Sequence, residues 1–267
     1  MAGAAYLATK ACLRSGAGKV TLATDASTLN ILGVSLPEAL TCELRLSGGL
    51  PLSSQRIHHF LNGLSKASVL GIGCGLGVSP GNTELVKLAL KILNIPMVID
   101  ADGLNSLDAK WLLQRAGGEM VLTPHDGEFR KLFGVELESN LKSRMMVAKR
   151  LSTKYHCVLL CKGHRTIVAN PSGDVFVNSS GNAGMATGGT GDVLTGIITA
   201  LIAQGFGAFD AACLGAHIHG SAADRFKRRY SMASLIAGDL IDELPIIFKY
   251  LEAKRSVKTM LKAGLVK

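Results

Sequence analysis

The chain has 267 residues, of which 48% are hydrophobic and 18% charged, with a formal net charge of +9. That length and composition suit one large α/β domain around a buried sheet and exclude a disordered or fibrous chain. The positive charge points to acidic partners, yet one Trp and four Tyr, with no aromatic–basic interleaving, argue against nucleic acid.

From the start, Gly3 to Ser15 carries apolar residues at helical spacing (Ala4, Leu7, Ala8, Ala11, Cys12) and stops at Gly16. Val20 to Ala23 reads as a strand and, after an irregular stretch, Thr41 to Leu46 as a second. Ser54 to Leu64 reads as a helix. Ser68 to Ile72 is a short apolar strand of the kind covered on both faces. Asn82 to Leu93 follows as an amphipathic helix, then strands over Pro96–Ile99 and Met120–Leu122. Helices are expected over Glu128–Phe133 and Lys142–Tyr155. Strands come at Val158–Lys162, Thr166–Ala169 and Val175–Asn178, the last two joined as a hairpin by Asn170-Pro171-Ser172-Gly173-Asp174. From Thr190 onward the chain reads as helical almost to its end. This alternation predicts a mostly parallel central sheet with helices on both faces.

No apolar run reaches the ~18 residues that cross a bilayer, and the first residues lack the basic start of an export signal. A cytoplasmic protein is therefore expected, with no membrane partner. With no export signal the compartment should be reducing and the six cysteines free thiols, and none has a zinc spacing. Cys157 and Cys161 fall on one face of a strand, as core packing requires. His217 and His219 diverge on a helix and make a poor metal pair.

Asn182 to Asp192 holds the strongest chemical signal. Its Gly188-Gly189-Thr190-Gly191 turn feeds an apolar helix and presents backbone N–H groups and the positive helix end to one point, an anion hole. Asp192 beside such a hole makes sense as a base that takes a proton from an attacking hydroxyl; the alternative is a helix cap. Four further motifs follow strand ends, where ligands of open α/β sheets bind. These are Gly73-Cys74-Gly75-Leu76-Gly77, Asp100-Ala101-Asp102-Gly103-Leu104-Asn105, Thr123-Pro124-His125-Asp126-Gly127-Glu128 and Lys162-Gly163-His164-Arg165-Thr166.

Together with Gly3–Ala8 and Arg14–Gly18, these motifs resemble the NAD(P)H-hydrate dehydratase family, a branch of the ribokinase-like small-molecule kinases. The resemblance implies a single ribokinase-like α/β domain over residues 1–267 and a nucleotide-repair activity. In it a nucleotide phosphorylates the 6-hydroxyl of the S epimer of hydrated NADH or NADPH, and loss of phosphate restores the cofactor. ADP as donor gives AMP; ATP serves other members. It further implies Asp192 as catalytic base and substrate contact, with Ala4, Gly75 and His125 lining the hydrated dinucleotide. Lys162, Gly163, His164, Arg165, Thr166 and Gly191 would hold the nucleotide, Mg2+ would assist, and the protein would be a homotetramer. Two readings stay open for Glu128, reaching magnesium through water or serving as a first-turn helix carboxylate.

The sequence departs from the family at Cys74, where proline is usual, and at Gly103, where alanine is usual. It also shows no opening strand and Gly-Gly-Ser-type turn before the first helix. A break in the sheet beside that helix is therefore expected, with poor solubility or activity of the chain as written. The rival readings are a ribokinase-like kinase that stops after phosphorylation and an inactive truncated remnant.

Overall fold

Short continuous apolar segments become the inner strands, because a strand covered on both faces has no solvent side with which to alternate. The computed structural model describes residues 1–44, 54–115 and 117–262. The elements run α1 (Ala2–Arg14), β1 (Thr21–Thr24), α2 (Ala26–Ser35), β2 (Leu40–Glu43), α3 (Ser54–Gly63), β3 (Leu70–Ile72), α4 (Pro80–Ile92) and β4 (Met97–Ile99). Next come α5 (Asp102–Asn105), α6 (Ala109–Leu112), β5 (Met120–Leu122), α7 (Asp126–Phe133), α8 (Leu141–Tyr155) and β6 (Val158–Cys161). The chain closes with β7 (Ile167–Ala169), β8 (Val175–Val177), α9 (Thr190–Ala203), α10 (Ala208–Phe226) and α11 (Ala237–Lys262).

The larger sheet has the order β3-β4-β5-β6-β7-β8. Strands β3 to β6 are parallel, while β7 runs antiparallel to both β6 and β8. Period-two alternation sends Val98, Val121, Val158, Leu160 and Val168 into one apolar layer with α9, α10 and α11. Met97, Ile99, Met120, Leu122, Leu159 and Ile167 face the opposite layer, built with α3, α4 and α8. The expected mostly parallel sheet with helices on both faces is the arrangement observed. Cys157 and Cys161 are buried together in the second layer, and all six cysteines are free.

Several boundaries differ from the sequence reading. The stretch read as irregular contains α2, capped by Asp25, whose side chain accepts the Thr28 N–H. One-turn helices α5 and α6 were not expected. Arg45 and Leu46 of the anticipated second strand lie outside the described residues, and its observed part is Leu40–Glu43.

Strands β1 and β2 form a separate parallel pair, and β3 pairs only with β4 among the described residues. Leu22 of β1 packs with Ala5 and Tyr6 of α1, so the break in strand pairing lies on the α1 side of the molecule. Helix α1 is seated on α9 through Gly196. A Cβ there would collide with the Ala8 carbonyl oxygen and stand 2.8 Å from the Ala11 Cβ. This close crossing places α1 beside the start of α9.

Candidate functional site

The centre of the site is a carboxylate at the end of β4. Asp100 is 1% exposed, and a buried charge is tolerable only when paired and hydrogen-bonded. Its Oδ1 accepts from Lys162 Nζ at 2.7 Å and from the Ala101 N–H at 2.8 Å, and its Oδ2 from Thr195 Oγ1 at 2.7 Å. Lys162 leaves the end of β6 and also lies 3.7 Å from Glu128. Burial pushes the Lys162 pKa down, but Asp100 and Glu128 outweigh it, so the net shift is upward and the ammonium is held charged.

The loop after β3 fits against this centre. Gly73 takes φ +124, and any side chain there would sit on the Asp100 carbonyl oxygen. The Gly77 N–H donates to Asp102 Oδ2 at 2.7 Å, tying the loop to the start of α5. A Cβ on Gly75 would stand 3.2 Å from the Ala4 Cβ, so α1 contributes to the same rim.

Helix α9 opens opposite. Its N-cap Gly189 is left-handed and provides no capping side chain, which leaves first-turn amides available to an anion. A Cβ on Gly189 would meet Leu7 at 2.5 Å and Ala237 at 3.1 Å, so the turn is wedged between α1 and α11. Thr190 Oγ1 donates within the turn to the Met185 and Thr187 carbonyls, each at 3.1 Å. From the Gly191 backbone, the position a Cβ would take is 3.3 Å from Lys162 Nζ and 3.7 Å from Asp100 Oδ2. Gly188 faces open space.

Asp192 follows on the first turn of α9. Burial raises its pKa above the ordinary aspartate range. A hydrogen bond from Cys74 and the charge of Lys162 oppose that shift, while Asp100 and Asp102 reinforce it. A raised value makes it a stronger base near neutrality than an ordinary aspartate. Behind the turn, His219 of α10 is buried and its pKa is pushed down to about 4, chiefly by that burial.

His125 and Glu128 cap α7 reciprocally. The His125 Nδ1 accepts from the Gly127 and Glu128 N–H groups, and Glu128 Oε2 accepts the His125 N–H at 2.9 Å. The helix-carboxylate reading of Glu128 is therefore realised. No group of three His, Cys, Asp or Glu able to hold a metal occurs among the described residues. Glu128 is thus engaged in the cap and lies beside Lys162, at 3.7 Å.

The 162–166 turn is closed by Thr166 Oγ1 donating to the Gly163 carbonyl at 3.0 Å. His164 and Arg165 are exposed, and Arg165 is left-handed at φ +57. Gly163 takes φ +147, and a Cβ there would meet Arg144 Nη2 at an ordinary 3.5 Å. Backbone conformation, rather than lack of room, is what favours glycine at this position.

The five motifs thus converge at the carboxyl ends of the parallel strands. Sequence reading assigned no role to Asp100, Thr195, Cys74, Arg144 or His219. Arg144 pairs in bidentate fashion with Asp126, at 2.7 and 3.0 Å, and backs the 162–166 turn. The available signal for Asp100 was a carboxylate placed directly after a fully apolar strand. No helix among the described residues is long and apolar enough to cross a membrane.

The family model described as NAD(P)H-hydrate dehydratase matches residues 1–246. The bifunctional NAD(P)H-hydrate repair enzyme of Moorella thermoacetica is 40% identical over 267 residues, 99% of this chain and 50% of that protein. The ADP-dependent (S)-NAD(P)H-hydrate dehydratase of Neisseria meningitidis serogroup B is 36% identical over 246 residues, 90% of this chain and 78% of that one. The chain thus spans about half the length of the bifunctional relatives it matches. A solved ADP/ATP-dependent NAD(P)H-hydrate dehydratase from Bacillus subtilis, co-crystallised with ATP/Mg2+, superposes with a TM-score of 0.79 at 28% identity. The match covers 94% of this chain and 85% of that one. The fold is the ribokinase-like α/β fold.

Proposed function

Because the chain belongs to the NAD(P)H-hydrate dehydratase family, we propose that it repairs the S epimer of hydrated NADH or NADPH with ADP as phosphoryl donor. The single observation that carries this reading is Asp192. Its carboxylate stands at the uncapped start of α9, among Lys162, Gly191 and the glycine loop after β3.

In the proposed reaction the substrate 6-hydroxyl attacks the terminal phosphorus of ADP while Asp192 accepts the hydroxyl proton. AMP leaves, the phosphorylated ring then loses phosphate and a ring proton, and the nicotinamide double bond returns. Amides of Gly188, Gly189, Thr190 and Gly191 would hold the transferring oxygens, the larger catalytic effect. Lys162 brings a fixed positive charge beside Gly191, and the backbone of 162–166 would follow the nucleotide. Ala4 and Gly75 at the rim, with His125 across the site, are proposed to line the hydrated dinucleotide. A magnesium ion, if carried in on the nucleotide phosphates, would neutralise their charge, with Glu128 reaching it only through water.

A relative named ADP-dependent supports ADP as donor, and the B. subtilis enzyme is named for both ADP and ATP. A homotetramer in the cytoplasm completes the proposal, and light scattering on the purified protein tests the assembly.

The decisive experiment is Asp192→Asn assayed on hydrated NADH. Nucleotide affinity should persist while turnover falls by roughly two to four decades, the range for losing a positioned acid–base group. Near-normal turnover would refute the base. Accumulation of a phosphorylated product by the unaltered protein would favour a kinase that stops halfway.

A further inference from the structure

We propose that Asp224 of α10 is a positioning residue for the phosphate-binding turn, holding the segment from Gly181 to Thr190 so that the amides at its end meet the transferring phosphoryl group. This rests on the reading of the Gly188–Gly191 turn as the anion site. The segment reaches that turn after running along α10. Asn178 Nδ2 donates to the Ala216 carbonyl at 3.1 Å, and Ser180 Oγ lies 3.0 Å from the His217 carbonyl oxygen. Gly220 leaves room for this approach, since a Cβ there would collide with the Ser180 hydroxyl and carbonyl. One helical turn further on, Asp224 accepts the Gly181 N–H on Oδ2 at 2.8 Å and the Asn182 Nδ2 on Oδ1 at 3.2 Å.

A chain of hydrogen bonds carries this hold from Asp224 to the turn. Asn182 Oδ1 must accept, because its partner is the Gly184 backbone N–H at 3.1 Å, so Nδ2 is the atom left to face Asp224. The Asn182 carbonyl accepts the Met185 N–H at 3.1 Å, and the Met185 carbonyl accepts from Thr190 Oγ1, also at 3.1 Å. Thr190 stands between Gly189 and Gly191 in the first turn of α9. On its other side the segment is pressed on Met232, whose carbonyl oxygen would be 2.6 Å from a Cβ on Gly184. Asp224 itself is 29% exposed, with Lys227 Nζ at 3.5 Å, whereas α10 is seated by Ala216, Ala222, Ala223 and Phe226 in the apolar layer. The carboxylate therefore fixes the segment rather than the helix. That matters for catalysis because amide donors stabilise a transition state only when they are already aimed at it.

The test exchanges the two side chains, as Asp224→Asn, Asn182→Asp and the pair together. The readouts are turnover of hydrated NADH with ADP, melting temperature, and amide hydrogen exchange over residues 181–191. In Asp224→Asn an amide NH2 faces that of Asn182, and turning the Asn182 amide over to meet it takes Oδ1 from the Gly184 N–H. Asn182→Asp alone sets two carboxylates against each other. The pair matches donors to acceptors again at unchanged net charge, since the carboxylate moved to position 182 has one oxygen for Gly184 and one for the amide at 224. Each single substitution should lower kcat about ten- to a hundredfold, less than the ~10²–10³ for outright loss of an oxyanion donor. KM for the hydrated dinucleotide should stay within about threefold, because transition-state contacts and not substrate binding are lost. Exchange over 181–191 should quicken, and the pair should restore slow exchange and bring kcat back to within about threefold. Should Asn182→Asp fail to fold alone, Asp224→Asn against the pair gives the same comparison. Single variants with unaltered kcat, or a pair that recovers the melting temperature but not kcat, overturn the proposal. If the unaltered protein does not turn over hydrated NADH, the functional reading fails; exchange then decides the hold by itself, and unchanged exchange in Asp224→Asn overturns it.

Discussion

Asp100 shows why a single residue can organise a site without reacting. Its carboxylate is fully buried and divides its oxygens between Lys162, 62 residues away, and Thr195, 95 residues away. Replacing it with leucine leaves the Lys162 ammonium with only Glu128, at 3.7 Å. The expected cost is up to about 3–5 kcal/mol in urea unfolding, the usual penalty for stranding one member of a buried pair, reduced by the water that reaches Lys162. Asp100→Leu combined with Lys162→Met should recover part of that loss. The Lys162 pKa is raised in the folded state, so its contribution is complete below the unfolded value of 10.5 and is lost only as pH rises through the folded one. Asp100→Leu leaves burial opposing the Lys162 charge, so the deficit should be largest at the acid end of pH 6 to 9 and should not grow as pH rises. A deficit that grew with pH across that range would show that the pair is not what Asp100 stabilises. Lys162, Asp192 and Asp100 each fall in a motif quoted from the sequence, but Asp100 gained no role there because Lys162 and Thr195 are brought to it only by tertiary packing.

Among the elements, the crossing of α1 on α9 places the Ala4 rim and the Gly189 turn, and it depends on an absent side chain. Gly196→Val would drive a branched group into the Ala8 carbonyl and the Ala11 Cβ, now 2.8 Å from the position a Cβ would take. Overpacking of this kind costs typically about 1–3 kcal/mol. The expected outcome is a lower melting temperature together with a raised KM for the hydrated dinucleotide, since α1 must tilt away. An unchanged KM would mean that α1 does not line the substrate.

The same helices show what sequence patterns carry. The inner strands and α4, α8 and α9 were readable because burial imposes a period or an unbroken apolar run. Helix α2 was not, because Ile31 and Val34 are exposed at 59% and 83%, which removes the polar face that marks a surface helix. Helices α5 and α6 are single turns, α5 starting after Ala101 without a capping side chain and α6 capped by Asp108, and both are too short to show any period. The break between the β1–β2 pair and β3 was anticipated only through the family comparison, since strand order is not written in local pattern.

At the scale of the whole molecule, stability should carry a pH dependence of its own, centred on His219. This imidazole, on α10, is 7% exposed and its Nε2 is buried with no hydrogen-bond partner among the described residues. Charging it there is unfavourable, and its pKa falls from 6.5 to about 4. The sign is that of a group whose folded pKa lies below the unfolded one. Protonation favours the unfolded chain, so the stabilisation is complete above pH 6.5 and is lost as pH falls toward 4. A shift of that size corresponds to on the order of 3 kcal/mol, a substantial part of a typical domain's ~5–15 kcal/mol. The carboxylates contribute their own losses over the same range, so the informative quantity is the difference between the protein and His219→Gln. Glutamine keeps a polar side chain at this position but cannot titrate. Chemical denaturation at a series of pH values from 7.5 to 4 should give a shallower decline for the variant. The two curves should differ most at the acid end, even if His219→Gln starts lower at neutral pH. Because His219 lies behind the first turn of α9, the acid transition should also release nucleotide before global unfolding is complete. Parallel stability curves across the whole range would show that His219 does not change its protonation on unfolding and that the α9–α10 contact is held by packing alone.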